Sequence, residues 1–174
     1  MPSFFRSAEV LMVQYAHYHR DRRNIVTHFV GIPLIFLAIG VLLASPVWSV
    51  AGLALTPAWL MWGFTSVWYL TRGSLLLGLA TCVVNGALIA WAHDMLSAPL
   101  PWGMVAWQLG VGLFVVGWVF QFIGHYYEGR KPAFVDDVVG LLVGPMFVVG
   151  EALMALGLLG GLHRAIERQA GPVR

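Results

Sequence analysis

Charge is what this chain has least of. Asp, Glu, Lys and Arg make up only 10% of its 174 residues, against about 25% in soluble domains. Hydrophobic residues fill the difference, at 59% with a mean hydropathy of +0.79. A single globule of this size cannot bury so much apolar surface, so the composition excludes a water-soluble domain and implies an integral membrane protein. Cysteine is almost absent. Cys82 stands alone in an apolar run, which rules out an intrachain disulfide and any CxxC pair. The N-terminus lacks a basic start followed by a long apolar core, so no cleavable signal is expected. The net charge of +2 and pI near 9.0 do not indicate nucleic acid, because the basic residues stand in small groups between apolar runs. Such groups read as topology signals and contacts to anionic headgroups.

Several chemistries are missing too. There is no glycine-rich phosphate loop, HExxH pair or serine elbow, and none of the histidine boxes of two-iron membrane desaturases and hydroxylases. No internal repeat or low-complexity segment is present.

What remains is a series of apolar runs. Residues 7–19 place Leu11, Tyr15 and Tyr18 at helical spacing, with Val10, Val13 and His17 in an adjacent row. The segment is too short and polar to cross a bilayer core of about 30 Å, which predicts an interfacial amphipathic helix. Spans are predicted at about 28–44, 47–70, 74–92 and 104–124, the first being short. "TRGS" at 71–74 and "SAPLPWG" at 97–103 serve as connectors. The run 138–162 is interrupted by Pro145 and Glu151 and either crosses or re-enters. The fold class is all-α, a polytopic membrane helical bundle forming a single domain over 1–174. Four spans place Arg20, Arg22 and Arg23, then Arg72, then Arg130 and Lys131 on one side, which the positive-inside rule assigns to the cytoplasm. A re-entrant last run would return the arginine-rich tail to that side.

Six histidines are many for so apolar a chain. "RDRR" predicts a turn that lets His19 end the first helix while His28 opens the first span. His125, closing the fourth span, reaches the same surface. Three neutral imidazoles at one depth form a candidate metal site, suited to iron, zinc, copper or nickel. Taken singly, each histidine is equally an interface residue among headgroups. His17 diverges from His19 by about 200° on a shared helix. His93 belongs to the opposite side and His163 to the solvated tail. Asn24, Gln121 and Asn85 are amides that could accept the second ring N–H of a metal-bound histidine or bond between helices. Glu151, a carboxylate inside an apolar run, is a functional candidate by default, unless it pairs with Arg130 or a histidine. Glu128, Asp136 and Asp137 fall in a loop, where solvation is the ordinary reading.

Two blocks carry a resemblance. Tyr18, His19, Asn24, His28 and Pro33 form the first; Trp118, Gln121, Phe122, Gly124, His125, Glu128, Arg130, Lys131, Pro132 and Ala133 form the second. With Asp136, Pro145 and Glu151 they resemble the small membrane proteins typified by the yeast dioxygenase of phytosphingosine breakdown. "DD" at 136–137 departs from the Asp-Asn pair typical there, and "HYYEG" is one residue short. The resemblance implies iron(II)-dependent oxidation of a long-chain 2-hydroxy fatty acid by O2, giving an acid one carbon shorter. His19, His28 and His125 would then hold Fe(2+), and Glu128 and Glu151 become candidate catalytic carboxylates. Arg130 and Lys131 would bind the substrate head, with Tyr18, Asn24, Asn85, Gln121 and Asp136 in support. The implied partners are the 2-hydroxy acid, O2 and membrane lipids, with a homo-oligomer left open. The centre would face the cytoplasm, at the inner membrane of a bacterium or the endoplasmic reticulum of a eukaryote. A rival reading is a proton- or ion-coupled transporter with Glu151 and the histidines as relay. It fits less well, because a relay distributes ionisable groups through several spans, whereas these gather at one surface.

Overall fold

The computed structural model describes residues 2–174, in which seven α-helices and one small hairpin are found. Helix α1 (Ala8–Ala16) is capped by the Ser7 hydroxyl, which accepts from the Val10 amide. It ends at His17, and two tight turns (Tyr18 N–H to Tyr15 O, His19 N–H to Ala16 O) carry the chain to Asp21. The Asp21 carboxylate caps α2 (Arg22–Leu42) by accepting from the Arg23 amide at 2.8 Å. The turn therefore covers only residues 17–21. His28 lies well inside α2 instead of opening it, because a cap at Asp21 starts the helix before the apolar run begins.

Residues 47–70, read above as one span, divide in two. Strands β1 (Trp48–Val50) and β2 (Leu53–Leu55) pair antiparallel across Ala51 and Gly52, both at positive φ, the conformation a tight hairpin demands. Thr56 then caps α3 (Pro57–Leu70), with proline in the first turn. At 14 residues, α3 is about 21 Å long, short of a bilayer core of about 30 Å. Helices α4 (Leu75–Met95) and α5 (Ala106–Glu128) follow. "HYYE" prolongs α5 by a full turn before Gly129, at φ 69°, closes it. Glu128 is thus a helical residue, not a loop residue.

Helices α6 (Gly140–Ala155) and α7 (Gly160–Ala170) bend by 111° at a short break. The tail reaches back to the α1–α2 turn, where Arg174 N–H donates to Arg20 O and Arg22 N–H to Arg174 O, each at 2.9 Å. Three helices (α2, α4 and α5) are long and apolar enough to cross a membrane, or four spans if the bent pair counts as one.

Helix α1 is not free to rest on a lipid surface with its apolar side. Leu11, Met12, Val13 and Tyr15 are buried in a core shared with Leu77, Met146 and Phe147. The tightest packing joins α2 to α5. A Cβ on Gly117 would lie 2.9 Å from Gly31 O, and one on Gly124 would collide with Thr27 Oγ1 and Asn24 Oδ1. Gly110, Gly117 and Gly124 recur every seventh residue on the buried side of α5, so the two backbones meet directly, as small residues permit in membranes.

Candidate metal centre

Those two helices and the α1–α2 turn carry the three histidines. His28 projects from α2 and His125 from the last turn of α5, where the glycine contacts hold the helices close. His19 descends from the turn. Their ring centroids are 4.4 Å (His19–His28), 4.9 Å (His19–His125) and 5.0 Å (His28–His125) apart. His19 and His28 have no exposed surface and His125 has 6%. One nitrogen from each ring falls within 4.8 Å of the others.

Tautomers follow from the partners. His19 Nδ1 lies 2.7 Å from Tyr15 O, and His28 Nδ1 lies 2.8 Å from Asn24 O. A carbonyl only accepts, so both Nδ1 atoms carry the hydrogen. In neutral rings both Nε2 atoms then present lone pairs, and these face each other at 3.0 Å. A proton between them would relieve the repulsion, but burial and the neighbouring His28 hold the His19 imidazole well below its usual pKa. A bound cation relieves it without that cost. The two nitrogens are near enough for one cation held by both imidazoles to take up their lone pairs. His125 Nδ1 is buried with no hydrogen-bond partner. The donor set thus fits a metal of the imidazole-binding group, and the supporting acceptors are backbone carbonyls, not the side-chain amides expected above.

Around the cluster, Glu128 grips the turn. Its Oε2 accepts from Arg20 N (2.9 Å), Asp21 N (2.8 Å) and Asn24 Nδ2 (3.1 Å), while Oε1 lies 3.5 Å from Arg174 Nη2. Asn24 Nδ2 also donates to Tyr18 O at 3.0 Å. Glu151 pairs with Arg20 at 3.6 Å, not with Arg130 or a histidine. Arg20 is buried beneath the turn and donates to Ala16 O, His19 O and Gly171 O. Arg130 donates to His17 O at 3.1 Å. Lys131 is paired with Asp136, which also accepts from the Tyr18 hydroxyl at 2.8 Å, and these partners hold the Asp136 carboxyl below its usual range. Gln121 is buried one turn before His125, with its amide nitrogen unpartnered. Asn85 lies in α4 with no hydrogen bond to the three histidines among the described residues. His93 bonds Thr56 and Ile89 O at the far end of α4, and His163 pairs with Glu167 in α7.

His125 also borders an apolar cavity of about 420 Å³. The cavity runs between α2, α3, α5 and α6, reaching Ile39, Met61 and Phe114. His125 and Phe114 are eleven residues apart on α5, about 16 Å along the axis. Its size lies within the usual range for small-molecule sites. A second, more polar cleft of about 360 Å³ meets it at Tyr15, Ala133 and Gly140, and includes Arg130 and Asp136.

The family described as 2-hydroxy-palmitic acid dioxygenase Mpo1-like matches residues 5–156. The chain belongs to this family. Within it, a relative from Saccharomyces cerevisiae, named 2-hydroxy-palmitic acid dioxygenase MPO1, is 30% identical over 156 residues, 88% of this chain and 83% of the relative. No solved structure matches. In this member of the family, Arg20 and Tyr15 were not singled out by residue type. A buried arginine beside a turn of arginines has no distinguishing sequence signal. The seven-residue glycine spacing on α5 did offer one.

Proposed function

We propose that this protein is an iron(II)-dependent dioxygenase that shortens long-chain 2-hydroxy fatty acids by one carbon, with its centre on the cytoplasmic face of the membrane. The observation that carries the reading is three converging imidazoles at one end of an apolar cavity. Family membership and the name of the yeast relative support the substrate class. The balanced reaction converts R–CH(OH)–COOH and O2 into R–COOH, CO2 and H2O. The substrate gives up four electrons and O2 takes them.

His19, His28 and His125 would hold the iron, which when bound supplies chelation of the 2-hydroxy carboxylate and reduction of O2. The protein's own part is positional. Tyr15 O and Asn24 O fix two ring orientations, as partners of metal-bound histidines do. Glu128 holds the backbone of the turn that carries His19, so its role is positioning, not proton transfer. Glu151 acts through Arg20 in the same way. The cavity walls take the acyl tail and exclude water from its end near His125. Arg130 lies on the adjoining cleft, where it would draw the anionic head inward. Lys131, paired with Asp136, contributes less.

Anaerobic reconstitution with iron(II), elemental analysis and oxidation of 2-hydroxyhexadecanoate test the reading. About one iron per chain is expected. His19→Ala, His28→Ala and His125→Ala should each lose both iron and turnover, whereas His163→Ala should lose neither. Full activity in metal-free protein, or with zinc alone, would overturn it.

A further inference from the structure

Polar groups around the apolar cavity are few: Gln121 and His125 each carry an unpartnered nitrogen, and two others are engaged within the protein. Tyr69 donates its hydroxyl to Leu142 O at 2.9 Å, and Thr65 donates to carbonyls of its own helix. The Tyr15 hydroxyl has no hydrogen-bond partner among the described residues, although the residue is 8% exposed. Its ring lies flat on His19, with centroids 4.1 Å apart and planes within 5°. Tyr15 borders both the apolar cavity and the polar cleft, and thus stands where they meet. Gly144 keeps the space beside it open, since a Cβ there would lie 3.3 Å from the hydroxyl oxygen.

The hydroxyl has no protein acceptor yet is not sealed away like the buried unpartnered atoms, so a ligand in the adjoining space can reach it and supply the acceptor. The acceptor must arrive at the junction of an apolar tail space and a polar opening. A fatty acid presents one charged acceptor there, its carboxylate, and hydrogen bonds to charged acceptors are the stronger kind. We infer that the Tyr15 hydroxyl binds substrate, donating a hydrogen bond to the carboxylate of the 2-hydroxy fatty acid. The inference rests on the dioxygenase reading above. It adds a substrate contact that does not ligate the metal and that lies on α1, outside the two blocks of polar residues. Stacking on His19 couples its position to the cluster, so the carboxylate is held beside the histidines.

Tyr15→Phe tests this, because it keeps the ring, the stack and the backbone carbonyl that accepts from His19. Two measurements are needed on purified full-length protein in detergent: the Kd of hexadecanoate by calorimetry, which needs no turnover, and kcat and KM for 2-hydroxyhexadecanoate. The variant should retain wild-type iron content and thermal midpoint. Its Kd and KM should rise together, about 10- to 100-fold, with a smaller change in kcat. Unchanged Kd and KM would overturn the inference while leaving the dioxygenase reading intact. So would loss of iron, which would make the hydroxyl a support of His19. If wild type binds hexadecanoate, the variant binds it weakly, and neither oxidises the 2-hydroxy acid, the carboxylate contact holds and the dioxygenase reading fails.

Discussion

Glu128 sits close to the histidines yet spends its carboxylate on backbone. Three donors converge on one of its oxygens, two of them amides of the turn that bears His19. Removing it strands those donors in a buried setting. Glu128→Ala should therefore destabilise the protein by about 3 kcal/mol and weaken iron binding about 10- to 100-fold, as supporting groups of metal ligands do. Thermal unfolding and iron titration check both, and a variant with normal stability but no turnover would point to direct chemistry instead. His19 supplies a pH dependence at the same scale. Its folded pKa is depressed by burial, so the folded ring stays neutral where the unfolded one, near pKa 6.5, takes a proton. The sign is that of a group whose neutral form the fold prefers. Its contribution is intact above pH about 6.5 and is lost as pH falls below it. The metal-free protein should show a thermal midpoint that declines from pH 7 to pH 5, and His19→Asn should flatten that slope.

Among the elements, the α2–α5 pair decides whether a site exists. His28 and His125 come from helices far apart in the chain, and only direct backbone contact through Gly31, Gly117 and Gly124 sets their rings 5.0 Å apart. Gly117→Ala places a methyl 2.7 Å from the Ile35 side chain and 2.9 Å from Gly31 O. It should cost about 1–3 kcal/mol and reduce iron retention by separating the helices. Gly112→Ala is the matched control, because nothing lies within 4 Å of a Cβ there. Equal iron content and stability in the two variants would show that close approach does not hold the cluster. The turn between α1 and α2 is the other decisive element. Its sequence is polar enough to announce a break, but its clamp on Glu128 and Arg174 is made of long-range bonds that no local pattern encodes.

At the scale of the whole molecule, the ends of α1, α2, α5 and α7 meet in one polar layer. Arg20 joins Glu151 and Gly171, Arg130 joins His17, and Arg174 joins the α1–α2 turn. On the proposed topology this layer lies on one face of a bilayer. Single cysteines at Arg22 and Gly129, introduced with Cys82 replaced, should be labelled by an impermeant reagent from the same side. On the function proposed above, that side is the cytoplasmic one. Labelling from opposite sides would dismantle the histidine site.

Composition and hydropathy by themselves determined that the protein is a helical membrane bundle, because apolar excess and runs of bilayer length are properties of the chain, independent of its packing. Residue type and the polar punctuation around His19, His28 and His125 marked them as candidate ligands. Span boundaries were less legible. Helix α2 begins at a cap that precedes its apolar run, and the run at 47–70 hides a hairpin, since apolar strands and helices share one hydropathy. Only the tertiary structure decided which atoms meet: the facing Nε2 pair, the carbonyls that set its tautomers, Glu151 on Arg20, and Tyr15 over His19. Each of these depends on side chains brought together by packing between separate segments, and a one-dimensional pattern records the donors without recording the distances between them.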